Sequence, residues 1–130
     1  MAVPVTAILA GVLGLLLVGL AARVSALRMR HQVSLGDGGH PALVRAIRAH
    51  GNTVEHAPLF LLIALAYEIT EGTDDLLIVT GGVFVLARVL LAAGLLARGL
   101  HKLRMLGAAV TYVAQAVLAV ALLASVLGAR

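Results

Sequence analysis

The sequence predicts an all-α membrane protein, a bundle of four transmembrane helices. Hydrophobic residues make up 62% of its 130 residues and the mean hydropathy is +1.07, whereas soluble domains are about 45–50% apolar. This excess is gathered into four apolar segments, each long enough to cross a hydrocarbon core of about 30 Å. The alternation typical of barrel strands is absent. Because lipid offers the backbone no hydrogen bonds, the four segments are predicted to be helices.

The predicted helices cover residues 2–28, 41–69, 76–97 and 105–129, in a single transmembrane domain. The first contains 21 uncharged residues in a row. That run is too long for the apolar part of a signal peptide and follows no basic stretch, so we predict a retained helix. The second helix begins with polar residues, the third is interrupted only by Arg88, and the fourth is uncharged over 25 residues.

The charges between the helices predict the orientation. The first and third connections and their flanks hold eight Lys or Arg residues, whereas the middle connection holds only acidic ones. The positive-inside rule then places the first and third connections in the cytoplasm and both termini on the other side of the membrane. The basic residues are Arg23, Arg28, Arg30, Arg45, Arg48, Arg98, Lys102 and Arg104, and the acidic ones are Glu68, Glu71, Asp74 and Asp75.

The composition excludes several functions. Cysteine is absent, which rules out disulfides, cysteine nucleophiles and cysteine-bound zinc. The net charge of +4 and a pI near 10.7 would be compatible with nucleic-acid binding. Ten basic residues with two Phe and two Tyr are too few for that function, however, and membrane topology accounts for the charge. No metal site is predicted either, because His50 and His56 are six residues apart and lie on different helix faces.

Small residues in the third and fourth helices predict close contacts between helices. Residues without bulky side chains let two membrane helices approach closely. The candidates are Gly81, Gly82, Ala87, Gly94, Gly107 and Ala108.

The second predicted helix carries a stripe of polar side chains into the apolar region. At about 100° per residue, Arg45, Arg48, Asn52 and Glu55 fall within an arc of about 80°. They extend over about 15 Å of helix from the end predicted to be cytoplasmic. Contact with lipid would be costly for such a stripe, so it is predicted to face protein or a water-filled cavity.

The polar stripe has two interpretations. In the structural one, Arg48 and Glu55 form buried ion pairs, Asn52 bonds to a neighbouring helix, and Arg88 is a partner for Glu55. In the functional one, the stripe binds a polar, anionic ligand from the cytoplasmic face. Arginines hold carboxylates by bidentate hydrogen bonds, Asn52 can donate and accept, and Glu55 would accept from an ammonium group. That set fits a small zwitterionic peptide, and ionisable groups inside a membrane favour function.

The stripe also resembles a known family. The run Arg48-Ala-His-Gly-Asn52-Thr-Val-Glu55-His-Ala-Pro58 is similar to the second-helix motif of the MAPEG family, the membrane-associated proteins of eicosanoid and glutathione metabolism. That family includes microsomal glutathione transferases together with leukotriene and prostaglandin synthases. The stretch RHQVSLGDGGHPALVRAIRAHGN resembles its short bacterial branch, and the resemblance covers essentially the whole chain.

The resemblance implies an assembly and a ligand. Members of this family are homotrimers that bind glutathione between neighbouring subunits near the cytoplasmic face, and the bacterial branch implies the bacterial inner membrane. By position, Arg48, Asn52 and Glu55 match the family's glutathione-contacting residues on helix two. Either Arg28 or Arg30 matches a helix-one arginine that contacts the peptide.

Helices three and four supply the other residues that the resemblance implies. Arg88 matches a binding arginine, Tyr112 is similar in placement to a tyrosine near the thiol, and Arg104 is the nearest candidate for the activating arginine. Eukaryotic members carry aromatic or histidine residues where Leu91 and Leu95 stand here. The third-helix wall of the site is therefore predicted to be more apolar than in those members.

Two functions follow from these observations. As an enzyme, the protein would use Arg104 and the Tyr112 hydroxyl to favour the thiolate of glutathione, since a thiol has an ordinary pKa of about 8.5. The thiolate would be conjugated to, or would reduce, a lipophilic electrophile or hydroperoxide from the bilayer. As the alternative, the protein would be a non-enzymatic membrane scaffold or a lipid- or partner-binding module. Arg104 would then be an interfacial topology charge, and Tyr112 a core or interfacial side chain.

Overall fold

The computed structural model describes residues 3–97 and 99–128. Within them the chain forms four α-helices, each long and apolar enough to cross a membrane. This confirms the all-α, four-span prediction. The helices are α1 (Pro4–His31), α2 (Pro41–Glu71), α3 (Asp75–Leu96) and α4 (His101–Gly128).

Short connections make consecutive helices antiparallel. The connections α1–α2 and α3–α4 therefore lie at one end of the bundle, which we call the basic end, and the connection α2–α3 lies at the other, the acidic end. α2 and α3 both pack in the middle of the bundle, with α1 on one side and α4 on the other. In the core between them, the Phe60 and Phe84 rings stack with their centroids 3.8 Å apart.

Three helix ends differ from the predicted ones by more than one residue, and both ends of α3 differ by one residue. α1 continues to His31 rather than 28, α2 continues to Glu71 rather than 69, and α4 begins at His101 rather than 105. The predicted bounds followed the extent of the apolar segments. A helix satisfies its own backbone hydrogen bonds, however, so it can continue past the apolar region into the polar interface. The predicted helix ends at residues 2 and 129 lie outside the described residues.

Two glycines set the spacing between α3 and α4. A Cβ atom on Gly107 would lie 2.6 Å from the backbone nitrogen of Leu91, and one on Gly94 would lie 2.5 Å from the backbone nitrogen of Arg104. No side chain fits at either position unless the backbones separate. By contrast, a Cβ on Gly82 would meet nothing within 4 Å, so the predicted close contact at Gly82 is wrong.

Replacing Gly107 with alanine is expected to destabilise the bundle by about 1–3 kcal/mol, because the added methyl group forces α3 and α4 apart. The matched control is Gly82→Ala, for which the helix preference of alanine predicts a gain of up to about 1 kcal/mol. Thermal unfolding of the detergent-purified variants measures both changes. Equal melting temperatures for the two variants would contradict this account of the α3–α4 contact.

The acidic end is held by a carboxylate that caps another helix. Glu68, which is 1% exposed, accepts hydrogen bonds from the backbone N–H groups of Val5 at 3.0 Å and Thr6 at 2.8 Å. It also accepts one from the Thr73 hydroxyl at 2.7 Å. No side chain of α1 caps its own N-terminus, so Glu68 satisfies amides that would otherwise lack partners. The sequence analysis read Glu68 as a topology charge only.

Candidate functional site

A cleft of ≈ 350 Å³ opens between α2, α3 and α4 towards the basic end of the bundle. Each helix contributes residues spaced by one turn, so one face of each helix forms one wall. The lining residues are Arg48 and Asn52 from α2, Leu91 and Leu95 from α3, and Arg104, Met105 and Ala108 from α4.

The polar groups of this cleft are concentrated on two walls. Arg48 and Asn52 belong to the predicted stripe of α2, and Arg104 comes from the first turn of α4. Arg48 and Arg104 are exposed and Asn52 is half-buried. The α3 wall is apolar, as the leucines at 91 and 95 predict. The close approach of α4 to α3 at Gly94 brings the backbone of Arg104 against α3 and places its side chain at the cleft.

Arg88 lies behind the cleft and is 1% exposed. Its Nη2 donates to Oδ1 of Asn52 at 2.7 Å and to Oγ1 of Thr53 at 3.1 Å. Its Nη1 donates to Oγ1 of Thr111 at 3.4 Å. This one guanidinium therefore joins α2, α3 and α4 from inside the bundle.

All three acceptors of Arg88 are uncharged. The pairing of Arg88 with Glu55 that the structural interpretation expected is not formed, and Glu55 is exposed. Arg48 is also exposed, so it does not form a buried ion pair with Glu55. The correction has a geometric reason: Glu55 and Asn52 lie about 60° apart on α2, and only Asn52 is turned towards α3. The expected bond between Asn52 and a neighbouring helix is present.

Thr53 and Thr111 were missed by the sequence analysis. Each hydroxyl donates to a carbonyl of its own helix, Thr53 to Ala49 at 3.0 Å and Thr111 to Gly107 at 2.7 Å. The oxygen lone pairs are thereby left to accept from Arg88. The sequence signal that could have revealed these two threonines is Arg88 itself. A guanidinium inside a membrane requires hydrogen-bond acceptors at its own depth on neighbouring helices.

A second pocket of ≈ 180 Å³ adjoins the cleft at the basic end, and Arg104 lines both. Arg45, the first residue of the predicted stripe, lines this pocket too. Nη2 of Arg104 lies 3.0 Å from Nδ1 of His101. Nε of Arg45 is buried and has no hydrogen-bond partner within the described chain. Cations therefore gather at this end of the cleft.

Tyr112 lies in a different pocket, further from the basic end. That pocket, of ≈ 360 Å³, lies between α2 and α4 and is lined by His56, Tyr112 and Gln115 together with apolar side chains. The His56 and Tyr112 rings are 5.4 Å apart, and Nδ1 of His56 lies 3.4 Å from Oε1 of Gln115. The structure thus separates Tyr112 from the cleft that Arg104 lines.

Arg28 and Arg30 do not reach the cleft within one chain. α1 packs on α2 and α3, on the side of the bundle away from α4. Arg28 lines a separate pocket of ≈ 530 Å³ beside Ser25 and Gln32, and its buried Nη1 has no partner among the residues described. Arg30 is exposed.

No group of three or more His, Cys, Asp or Glu side chains that could hold a metal ion occurs in residues 3–97 and 99–128. The polar chemistry of the cleft is cationic, from guanidinium groups with one amide. Such groups bind anions by charge-assisted hydrogen bonds.

These features define a class: an integral membrane protein of four helices with an arginine-lined cleft between its helices. The chain belongs to the MAPEG family, whose model matches residues 6–124. It is 37% identical over 83 residues to the inner membrane protein YecN of Escherichia coli strain K12, and equally to YecN of Escherichia coli O6:H1. The match covers 64% of this chain and 63% of each relative, so it spans just under two thirds of their length.

Proposed function

We propose that this protein binds glutathione, or a similar anionic thiol peptide, in the cleft between α2, α3 and α4. The observation that carries the proposal is the placement of Arg48 and Arg104 on two different helices that line one cleft, with the Asn52 amide in the same lining. A cleft of ≈ 350 Å³ is within the usual size of small-molecule sites, about 300–1,000 Å³. Membership of a family linked to glutathione supports the same ligand.

The charge distribution favours an anionic ligand. Arg48 and Arg104 can each donate two parallel hydrogen bonds to a carboxylate. Arg88, buried behind Asn52 with only uncharged acceptors, adds a third positive charge close to the cleft. In the low dielectric of a bundle interior these charges act strongly on a bound anion.

We further propose that the functional unit is a homotrimer in a bacterial inner membrane, with the basic end in the cytoplasm. Glu55 lies near the middle of α2, yet it is exposed in the single chain. A carboxylate at that depth is costly in lipid, so a second copy of the chain would cover it. An adjacent subunit would also bring Arg28 or Arg30 towards the ligand, which α1 cannot do within one chain.

Arg104 is the proposed activating residue. A guanidinium beside the bound thiol stabilises the thiolate, and the thiolate is the nucleophile. Its sulfur would form a bond to the carbon of a lipophilic electrophile and displace the leaving group. With a hydroperoxide, the sulfur would attack one oxygen, the O–O bond would break and the alcohol would leave; a second glutathione would then convert the sulfenic acid to a disulfide and water. Tyr112 lines the neighbouring pocket, so a role at the thiol would require a ligand that extends over both pockets.

The second candidate function is a non-enzymatic membrane module that keeps the fold and the ligand site. The observation in its favour is the apolar α3 wall, because neither Leu91 nor Leu95 can donate to a bound thiol. Binding of glutathione without conjugation or peroxidase turnover would favour this function over the enzyme.

Glutathione is expected to raise the melting temperature of the detergent-purified protein. At a free concentration about 100-fold above Kd the stabilisation is about 2.7 kcal/mol, which corresponds to several degrees. Arg48→Ala should weaken binding by about ten- to a hundredfold, since a hydrogen bond to a charged group is worth about 1.5–3 kcal/mol. Arg23→Ala, which removes an exposed arginine of α1, is the control. No shift for the wild-type protein at millimolar glutathione would contradict the proposal.

A further inference from the structure

Among the residues that the structure describes, Asn52 is the one that both lines the cleft and hydrogen-bonds to the buried arginine. Its side-chain amide has a carbonyl oxygen that accepts hydrogen bonds and a nitrogen that donates them. Which of the two faces the cleft decides the ligand group that Asn52 can bind.

Arg88 fixes this orientation. A guanidinium has only donors, so the atom of Asn52 that lies 2.7 Å from Nη2 of Arg88 must be the oxygen, Oδ1. Rotating the amide by half a turn would place two donors against each other inside the bundle. That arrangement would leave a guanidinium donor unsatisfied, at a cost of about 1–3 kcal/mol.

Neither of the other two acceptors of Arg88 would release the amide. Thr53 and Thr111 have both committed their hydroxyl protons to backbone carbonyls, so they act on Arg88 as acceptors only. Arg88 itself is 1% exposed and cannot turn towards water for a substitute acceptor. The oxygen of Asn52 therefore stays on Arg88, and its Nδ2 is the end that remains for the cleft.

We propose that Arg88 is a positioning residue that turns Nδ2 of Asn52 into the cleft, so that the cleft binds a carboxylate and rejects an ammonium group. The polar side chains of the lining are then Arg48, Arg104 and the amide nitrogen of Asn52, which are all donors. The remaining lining residues are Leu, Met and Ala. The inference rests on the proposed function in placing the ligand in this cleft, and it specifies which end of a zwitterionic peptide the cleft holds.

This inference changes the role of two residues of the stripe. From sequence, Asn52 was able to donate and accept, and Glu55 was expected to accept from an ammonium group at the same site. With its Oδ1 held by Arg88, Asn52 would only donate to the cleft, and Glu55 is not among the residues that line the cleft. The ammonium group of a peptide such as glutathione would lie outside this cleft.

The test uses Asn52→Asp, a change of nearly equal shape. In this variant one carboxylate oxygen replaces Oδ1 and pairs with Arg88, while the other replaces Nδ2 and faces the cleft. Without ligand, the melting temperature of the detergent-purified variant is expected to equal or exceed that of the wild type. If Asn52 had only a structural role, this variant would bind the ligand probes with the same Kd as the wild type. The control is Leu35→Glu, which adds a carboxylate at an exposed position of the α1–α2 connection that lines none of the pockets described above.

The ligand probes are glutathione, glutarate and cadaverine, the diamine with as many carbons as glutarate. Wild-type protein is expected to be stabilised by glutarate and not by cadaverine. Asn52→Asp should raise the Kd for glutarate by about tenfold or more, because a donor is lost and a like charge is added. Leu35→Glu should leave that Kd unchanged.

The outcomes separate this inference from the proposed function. Binding of glutarate without glutathione would contradict the proposed ligand and leave the carboxylate selectivity supported. Stabilisation of the wild type by cadaverine, or tighter glutarate binding by Asn52→Asp, would overturn the inference, and so would binding of neither probe. If Asn52→Asp does not fold, the inference is tested by Asn52→Ala and by the binding of glutarate and cadaverine to the wild-type protein. Loss of Nδ2 without added charge should still weaken glutarate binding severalfold.

Discussion

Replacing Arg88 with alanine is expected to lower the free energy of unfolding by about 3–5 kcal/mol. The side chain is among the largest that are fully buried in the bundle, so its removal leaves a cavity, and large-to-small changes at buried positions cost about 2–5 kcal/mol. The buried hydroxyl oxygens of Thr53 and Thr111 also lose the donor from which they accept, and an unsatisfied buried acceptor costs about 1–3 kcal/mol. Because Arg88 joins α2, α3 and α4, its removal weakens all three contacts at once.

Thermal or denaturant unfolding in detergent measures this loss. The matched control is Arg48→Ala, which removes the same charged group from an exposed position and is expected to change stability by less than about 0.5 kcal/mol. If Arg88→Ala remained within 1 kcal/mol of the wild type, Arg88 would not be the internal tie between the helices that its hydrogen bonds indicate.

Replacing Arg104 with glutamine is expected to reduce glutathione-dependent turnover by about 10²–10³-fold, the usual effect of removing one donor that stabilises a developing anion. The physical cause is a change in the ionisation of the bound thiol. Without the guanidinium, the pKa of bound glutathione should rise towards its ordinary value of about 8.5. A smaller fraction of thiolate is then present at neutral pH, and the rate should recover as the pH is raised.

The ultraviolet absorbance of the thiolate, followed against pH, reports this pKa directly, and the pH profile of turnover reports it kinetically. Lys102→Gln is the control, because Lys102 is an exposed basic residue of the same helix turn that does not line the cleft. An unchanged thiol pKa in Arg104→Gln would remove Arg104 from the activating role, even if binding were weakened.

The fold was predictable from sequence because the hydrocarbon core of a membrane offers the backbone no hydrogen bonds, and a helix makes its own. In lipid, the backbone N–H and C=O groups of a single apolar run such as Ala2 to Ala22 find hydrogen-bond partners within the run when it is a helix. The angular positions of Arg48 and Asn52 on the second helix also predicted that they share one face. Which helix would meet that face was not predictable. It depends on the contact at Gly94 and Gly107, where α3 and α4 approach so closely that an added Cβ atom would not fit.

The partners of buried polar groups were the second element that sequence could not supply. The sequence identified Arg88 as an intramembrane charge but not its acceptors, Thr53 and Thr111. Threonine is a common residue in membrane helices, and these two have no characteristic spacing from Arg88. Glu68 was assigned to topology, although it caps an amide pair 62 and 63 residues earlier in the chain. Contacts between positions so distant in sequence follow from three-dimensional packing, which local patterns do not encode.

The most direct test of the central claim is an experimental structure of the protein determined in lipid nanodiscs with millimolar glutathione. The account expects the peptide in the cleft between α2, α3 and α4, with a carboxylate between Arg48 and Arg104 and within hydrogen-bonding distance of Nδ2 of Asn52. Glutathione bound elsewhere, or bound here through its ammonium group, would contradict the account.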